Sequence, residues 1–137
     1  MSLMNDFLIA LESEIRAAVS GIPAGVSGVE RGVRSPDKIQ AGQYPHVFLT
    51  DPTEKSEELI YRQRKIEVSV LVVIWRLNQS HNDSLEDFSD IKAALSVFPS
   101  LGSVNLDNSE IELEQIWETY DKPYRAAVMR VTGVRTD

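Results

Sequence analysis

Residues 59–76 are predicted to form one long β-strand, in which polar and hydrophobic residues alternate from Lys65 to Val70 and apolar residues then follow on both faces. The stretch has no glycine or proline and is rich in β-branched side chains, which favour strands. Its even positions from Ile66 to Ile74 are all Ile or Val, and they share one face because successive side chains point to opposite sides. On the other face polar positions give way to apolar ones: Lys65, Glu67 and Ser69 precede Leu71, Val73 and Trp75. We therefore expect a central strand whose second half is covered on both faces.

A first helix is predicted before the strands. Leu8, Leu11 and Ile15 recur at helical spacing, so they form one apolar stripe. Asn5 or Asp6 can act as the N-cap, and the helix is expected to run to about residue 20. We expect this stripe to pack in the core against the even face of the long strand.

A second helix is predicted from about residue 83 to residue 98. Asp83 or Ser84 can cap its first turn, and Phe88, Ile91 and Leu95 form its apolar stripe. We expect this helix to lie across the sheet and to complete the core.

Four shorter strands are predicted around the long one. They lie near residues 29–34, 44–49, 110–117 and 125–135, and the acidic segment 53–58 is expected to be a solvent-facing connection after Asp51-Pro52 stops the second strand. That connection is too short for a helical crossover, so its two strands should pair antiparallel. The element order α-β-β-β-α-β-β predicts an α+β fold, with two helices packed on a mostly antiparallel sheet.

Composition limits the classes of protein to which this chain can belong. Its 137 residues fit a single domain, residues 1–137, and Met4 is a candidate natural start, so residues 1–3 are set aside as a cloning remnant. Cysteine is absent, which excludes disulfides and thiolate chemistry and is compatible with a reducing cytoplasm. The net charge of −7 argues against nucleic-acid binding. No secretory signal or membrane-spanning apolar run is evident, so no membrane partner is expected.

Candidate chemistry is sparse. His46 follows a proline at a predicted strand start, where a hydrogen-bonded structural role is expected, and His81 lies in a polar loop without metal-ligand spacing. Glu110, Glu112 and Glu114 recur with period two, which places them on one solvated strand face. We therefore expect no catalytic, cofactor-binding or metal site.

In the order and length of its elements the chain resembles the tail terminator, or tail-completion, proteins of long-tailed bacteriophages and prophages. The segments that carry the resemblance span residues 5–135: FLIALESEIRAAV, YPHVFLTDP, KIEVSVLVVIW, LEDFSDIKAALSVFP and IELEQIWETYDKPYRAAVMRVTGVR. The resemblance implies a non-enzymatic minor tail protein that forms a hexameric ring, caps the tail tube, ends its polymerisation and offers a head-joining surface. Its implied partners are copies of itself, the tube protein and a head-completion protein. Its implied location is the cytoplasm of a bacterial host during assembly, and then the virion tail.

Two surfaces are candidates for a role in such a ring. Leu71, Val73 and Trp75 are a candidate subunit interface, with intramolecular cover by a helix as the equal alternative. Glu110, Glu112 and Glu114 are a candidate acidic lining for a DNA channel, since like charge repels phosphates, with a plain solvated face as the alternative.

A different class of function is the competing hypothesis. A small ligand-binding or regulatory α+β module of bacterial metabolism would show a concave apolar pocket with a few converging polar groups. An enzyme would need His46 or His81 to meet a carboxylate in a cleft.

Overall fold

The α+β class and the order of elements are confirmed in a computed structural model. It describes residues 2–25, 28–32, 45–77, 81–96, 106, 108–118 and 124–137, with the side chains of residues 77, 81–84, 94–96, 108–109, 117–118 and 124 excepted. The elements are α1 (Leu3–Ala18), β1 (Val29–Arg31), β2 (His46–Glu58), β3 (Arg64–Leu77), α2 (His81–Ser96), β4 (Asn108–Glu118) and β5 (Tyr124–Thr136).

The strands form one five-stranded sheet in the order β1-β2-β3-β5-β4. β1 runs parallel to β2, and the other three pairings are antiparallel, as the sequence predicts for most of the sheet. β3 occupies the centre because its β-branched second half is buried on both faces, which an edge strand cannot provide.

Both helices contribute to one core on the same face of the sheet. The buried residues of α1 pack with the even positions of β3 and with Ile91 of α2, and the largest members are Phe7, Leu11, Ile15, Val68, Val70, Val72, Ile74, Ile91 and Met129. The predicted core is therefore confirmed at most positions. Ile66 and Phe88 are half-buried, and the side chain of Leu95 lies outside the described residues.

The predicted stop at Asp51-Pro52 is wrong. β2 continues to Glu58, and its register against β3 shifts between Thr50 and Thr53, which marks a bulge. Asp51 has a φ of 54°, so the extra residue turns the chain locally and Pro52 falls where its missing donor is tolerated. Residues 53–58 are solvent-facing as expected, but they form strand rather than a connection.

The start of α1 also differs from the prediction. Ser2, which sequence reasoning set aside, is the N-cap, and its Oγ accepts a hydrogen bond from the Asn5 amide at 3.0 Å. α2 likewise begins at His81, earlier than the predicted caps.

Ser2→Ala should therefore lower the free energy of unfolding by about 1 kcal/mol, the usual cost of losing a side-chain N-cap. A urea unfolding series on both proteins measures this. Ser20→Ala is the matched control, because Ser20 is exposed and follows the helix. An equal loss in the two variants would contradict the capping role of Ser2.

Candidate assembly surfaces

The β2–β3 hairpin extends beyond the helical layer. All residues of β2 from Asp51 to Glu58 are exposed, whereas Val47 and Leu49 are buried. Val68 is the last fully buried residue of β3 toward the turn, so the chain from there to Gln63 adds roughly 16 Å at about 3.3 Å per residue. The hairpin is therefore an arm that projects from the covered part of the sheet.

The end of this arm is apolar and exposed. Leu59, Ile60 and Tyr61 expose 39%, 74% and 93% of their surface. The prediction that residues 59–63 belong to the long strand is wrong: Ile60–Arg62 form a tight turn and β3 starts at Arg64. In the sequence, the sign that the regular strand pattern is interrupted here is the run of three consecutive apolar residues, which breaks strict alternation. We call residues 59–62 the hairpin tip.

Hydrogen bonds hold the tip in one shape. The Leu59 amide donates to the Gln63 carbonyl at 2.7 Å, which closes the turn. Arg64 and Asp137 exchange two backbone hydrogen bonds of 2.9 and 2.8 Å, so the chain beyond β5 braces the arm directly below the tip. The arm is thus a three-stranded structure and not a loose loop.

The tip backbone is strained, since Tyr61 and Arg62 have φ values of 61° and 65°. This left-handed region is costly for residues other than glycine, and such strain persists only where the surrounding structure enforces it. The turn thereby directs the large Tyr61 side chain into solvent instead of folding it against the sheet.

Opposite charges face each other along the arm. The register places Glu57 opposite Lys65, Glu58 opposite Arg64, and Lys55 opposite Glu67. Cross-strand pairs of opposite charge favour an antiparallel pairing by a few tenths of a kcal/mol each. They favour this register over slipped ones.

The second sheet face contains the residues first considered as a subunit interface. Val73 and Trp75 are 0% and 5% exposed in the single chain, and Leu71 is half-buried. They pack in a second apolar cluster with Phe48, Ala126 and Val128. Val73 and Trp75 are therefore buried within their own chain, but the described helix residues pack in the other cluster, so the predicted cover by a helix is wrong.

Further along that face the apolar cluster gives way to a polar network around Arg130. Its Nε donates to Glu114 Oε1 at 2.8 Å and its Nη1 donates to Ser69 Oγ at 3.0 Å. Thr132 Oγ1 lies 3.4 Å from the same Ser69 oxygen. The network accounts for the polar residue at position 69, which is buried.

The three glutamates proposed as a channel lining are all exposed. Glu112 stands opposite Arg130 and Glu110 opposite Thr132, so both share the face of the polar network. The register shifts between Leu113 and Gln115, so a bulge at Glu114 interrupts the alternation of β4. The bulge moves Ile116 opposite core residue Ala127, toward the helical layer.

His46 contacts a carboxylate, Glu30, which lines the cleft described below, but the His46 ring itself has no access to solvent. His46 is fully buried, and its Nε2 lies 2.5 Å from Glu30 Oε2, on the strand next to it. The predicted hydrogen-bonded role of His46 is confirmed. The side chain of His81 lies outside the described residues.

An open cleft of about 450 Å³ lies beside β1. Its described lining consists of Glu12, Gly25, Val29, Glu30 and Arg31. Three of these residues are charged and two are apolar, and the cleft is open to solvent, whereas small-molecule sites usually enclose most of their ligand.

Arg16 holds the α1–β1 segment next to this cleft. Its Nη1 donates to the Pro23 carbonyl at 2.6 Å, and its Nη2 donates to the Gly25 carbonyl at 2.7 Å. The same side chain forms an ion pair of 3.2 Å with Glu12. Two lining residues of the cleft, Glu12 and Gly25, are therefore held in place by Arg16.

Within the described residues, no cluster of three or more His, Asp or Glu side chains is placed to hold a metal ion. In the same part of the chain, no helix is both long enough and apolar enough to cross a membrane. Comparison of the chain with models of known protein families and with curated protein sequences finds no match.

Proposed function

We propose that this protein is a non-enzymatic tail assembly protein of a phage or prophage, which caps the tail tube, ends its polymerisation and offers a surface for head joining. The observation that carries the proposal is the braced arm with its exposed apolar tip. Among the described residues, Tyr61 and Ile60 are the most exposed large hydrophobic side chains, at 93% and 74% against 51% for Ile9, and they are adjacent at the end of the arm, as in an apolar patch that binds another protein.

The element order supports the same proposal, because it is the order that the resemblance to tail terminators implies. In this function six copies form a ring, and each copy contributes two different surfaces, since head-to-tail contacts close a ring when the rotation suits. The ring docks on the tube protein on one side and on a head-completion protein on the other. It works in the bacterial cytoplasm during assembly and then becomes part of the virion tail.

The acidic face of β4 fits the lumen of such a ring. Glu110 and Glu112 are exposed. On the same face, Arg130 forms an ion pair with the third glutamate of β4, Glu114. Exposed carboxylates repel DNA phosphates, so DNA would pass without binding. A ring that gripped DNA would need the opposite charge.

A tube-capping assay tests the proposal. Tube protein from the gene cluster that encodes this chain is allowed to polymerise with and without the folded protein, and tube lengths are measured by electron microscopy. We expect shorter tubes with a ring of density at one end, and sedimentation velocity should show a hexamer, alone or on short tubes. Tubes that elongate unchanged at saturating protein would contradict the proposal.

The cleft beside β1 favours the second candidate, a small ligand-binding or regulatory module. Glu12, Glu30 and Arg31 would supply charges for a small polar ligand. A protein that remains monomeric with tube protein present, and that leaves tube length unchanged, would favour this module over the tail protein.

A further inference from the structure

β4 is a long edge strand of the sheet. It has eleven residues, Asn108–Glu118, and it pairs with β5 on one side. Within the described residues, no strand lies on its other side. An edge strand of this length presents a row of backbone donors and acceptors to which another extended chain can bind.

The face of β4 that points toward the helical layer favours pairing with a second copy. Ile111 and Leu113 pack against the main core, yet they remain only half-buried at this edge. Ile116, beyond the bulge, is half-buried as well. A second β4 placed alongside would remove more of this apolar surface from water and would bind the open backbone groups. Something in the strand must therefore oppose this contact if the edge is to stay open.

The glutamates on the opposite face of β4 oppose it. Glu110, Glu112 and Glu114 are all exposed. Arg130 of β5 shares their face and pairs with Glu114, so these four side chains remain net negative. Residues directly opposite each other in an antiparallel pair of strands point to the same side of the sheet. Two β4 strands related by a two-fold axis would thus bring all of their glutamates to one face.

The spacing of the glutamates makes the repulsion independent of the exact register. A symmetric antiparallel pair centred on residue 110, 111 or 112 places glutamate directly opposite glutamate in each case, because the acids recur at every second position. Like charges directly opposite each other destabilise the pairing of two strands.

The bulge at Glu114 acts in the same direction. The register against β5 shifts between Leu113 and Gln115. A bulge bends its strand and interrupts the regular spacing of the backbone groups, so a straight incoming strand could not pair along the whole edge.

We infer that Glu110 and Glu112 keep two copies of this chain from pairing edge to edge through β4. The partner that they exclude is a second β4, and they exclude it by repulsion between two rows of carboxylates. The inference does not rest on the proposed function, because it applies equally to a monomer and to a subunit of a ring.

Removal of the two charges tests the inference. Glu110→Gln combined with Glu112→Gln keeps the size of both side chains and should make association at least about tenfold tighter than in the parent. Sedimentation velocity over a wide concentration range measures the association. Hydrogen exchange followed by mass spectrometry should show slower exchange of the backbone amides of residues 108–118, since those amides gain partners in the new pair.

Glu86→Gln combined with Asp90→Asn is the matched control. It makes the same change in net charge at exposed positions of α2, away from the sheet edge, and should leave association unchanged. All four positions are exposed, so thermal melts should stay close to that of the parent. Unchanged association and exchange in the β4 variant would overturn the inference. An equal gain in the control would also overturn it, because the net charge of the protein would then be the cause.

A charge exchange gives an independent measurement. Protein with Glu110→Lys and Glu112→Lys should not pair with itself through β4, because lysines would then face lysines. Mixed with the parent, it should form a one-to-one complex in which residues 108–118 exchange slowly. Glu86→Lys combined with Asp90→Lys should form no such complex with the parent. If the β4 lysine variant and the parent do not associate, repulsion between glutamates is not what keeps the edges apart.

The outcomes also separate this inference from the proposed function. If the parent fails to shorten tubes while the glutamine variant pairs through β4, the proposed function fails and the inference stands. If the parent caps tubes and the glutamine variant does not pair through β4, the inference is wrong and the proposed function stands.

Discussion

Val70→Asp should abolish the folded state. Val70 is fully buried at the centre of β3, where it stands opposite Val131 of β5 and faces the helical layer. A carboxylate there loses its hydration and gains no partner, which costs several kcal/mol, whereas a whole domain is usually stable by about 5–15 kcal/mol. We expect the variant to lack a cooperative thermal transition and to lose its near-ultraviolet circular dichroism.

Ile60→Asp is the matched control, since it makes the same kind of change at a residue that is 74% exposed. Its melting temperature should remain close to that of the parent, because surface substitutions usually change stability by less than about 0.5 kcal/mol. A cooperative, undiminished transition in Val70→Asp would mean that the even face of β3 does not form the core. The unfolded variant also serves as the inactive control in the tube-capping assay.

Arg76→Met should lower the free energy of unfolding by about 3–5 kcal/mol, the range for removing one partner of a buried ion pair. Arg76 Nε and Nη2 donate to the two carboxylate oxygens of Asp87 at 2.6 and 2.7 Å, which joins β3 to α2. The Asp87 side chain is only 5% exposed, so loss of the guanidinium leaves a buried charge with little access to water. Urea unfolding followed by fluorescence measures the loss.

Two variants show whether burial of the charge is the cause. Arg135→Met breaks the more exposed pair with Asp137, at 30% and 52% exposure, and should cost less than about 1 kcal/mol. Arg76→Met combined with Asp87→Leu removes both charges and should recover most of the stability, because apolar replacements of buried pairs are often neutral. If the double variant is no more stable than Arg76→Met, the loss comes from packing and not from the unpaired carboxylate.

Sequence periodicity predicted the parts of this fold that are set by local burial. The apolar stripe of α1 and the even face of β3 form the core because repeats of 3.6 and 2 residues place their side chains on one side. The position of β3 at the sheet centre followed from its change to apolar on the second face. The order of elements followed from the same patterns.

The candidate assembly surface was harder to foresee. Three consecutive apolar residues at 59–61 break the alternation but do not indicate a turn, because the usual turn residues are absent and the left-handed conformations of Tyr61 and Arg62 are strained. The structure can hold them because the hairpin register and the hydrogen bonds from Asp137 fix both strands below the turn. Pairing with β3 also stabilises β2 beyond Pro52, where a bulge accommodates the proline.

By itself, the sequence determined the α+β class, the core stripes, the acidic balance and the absence of thiol chemistry, since each follows from composition or from spacing along the chain. Only the tertiary structure decided which apolar residues remain outside the core. It buried Trp75 within its own chain and exposed Tyr61, although both lie in the stretch where the sequence predicts one strand. It also paired Arg76 with Asp87 and His46 with Glu30. Burial and pairing depend on neighbours that are distant in sequence, and a local sequence pattern contains no information about those neighbours.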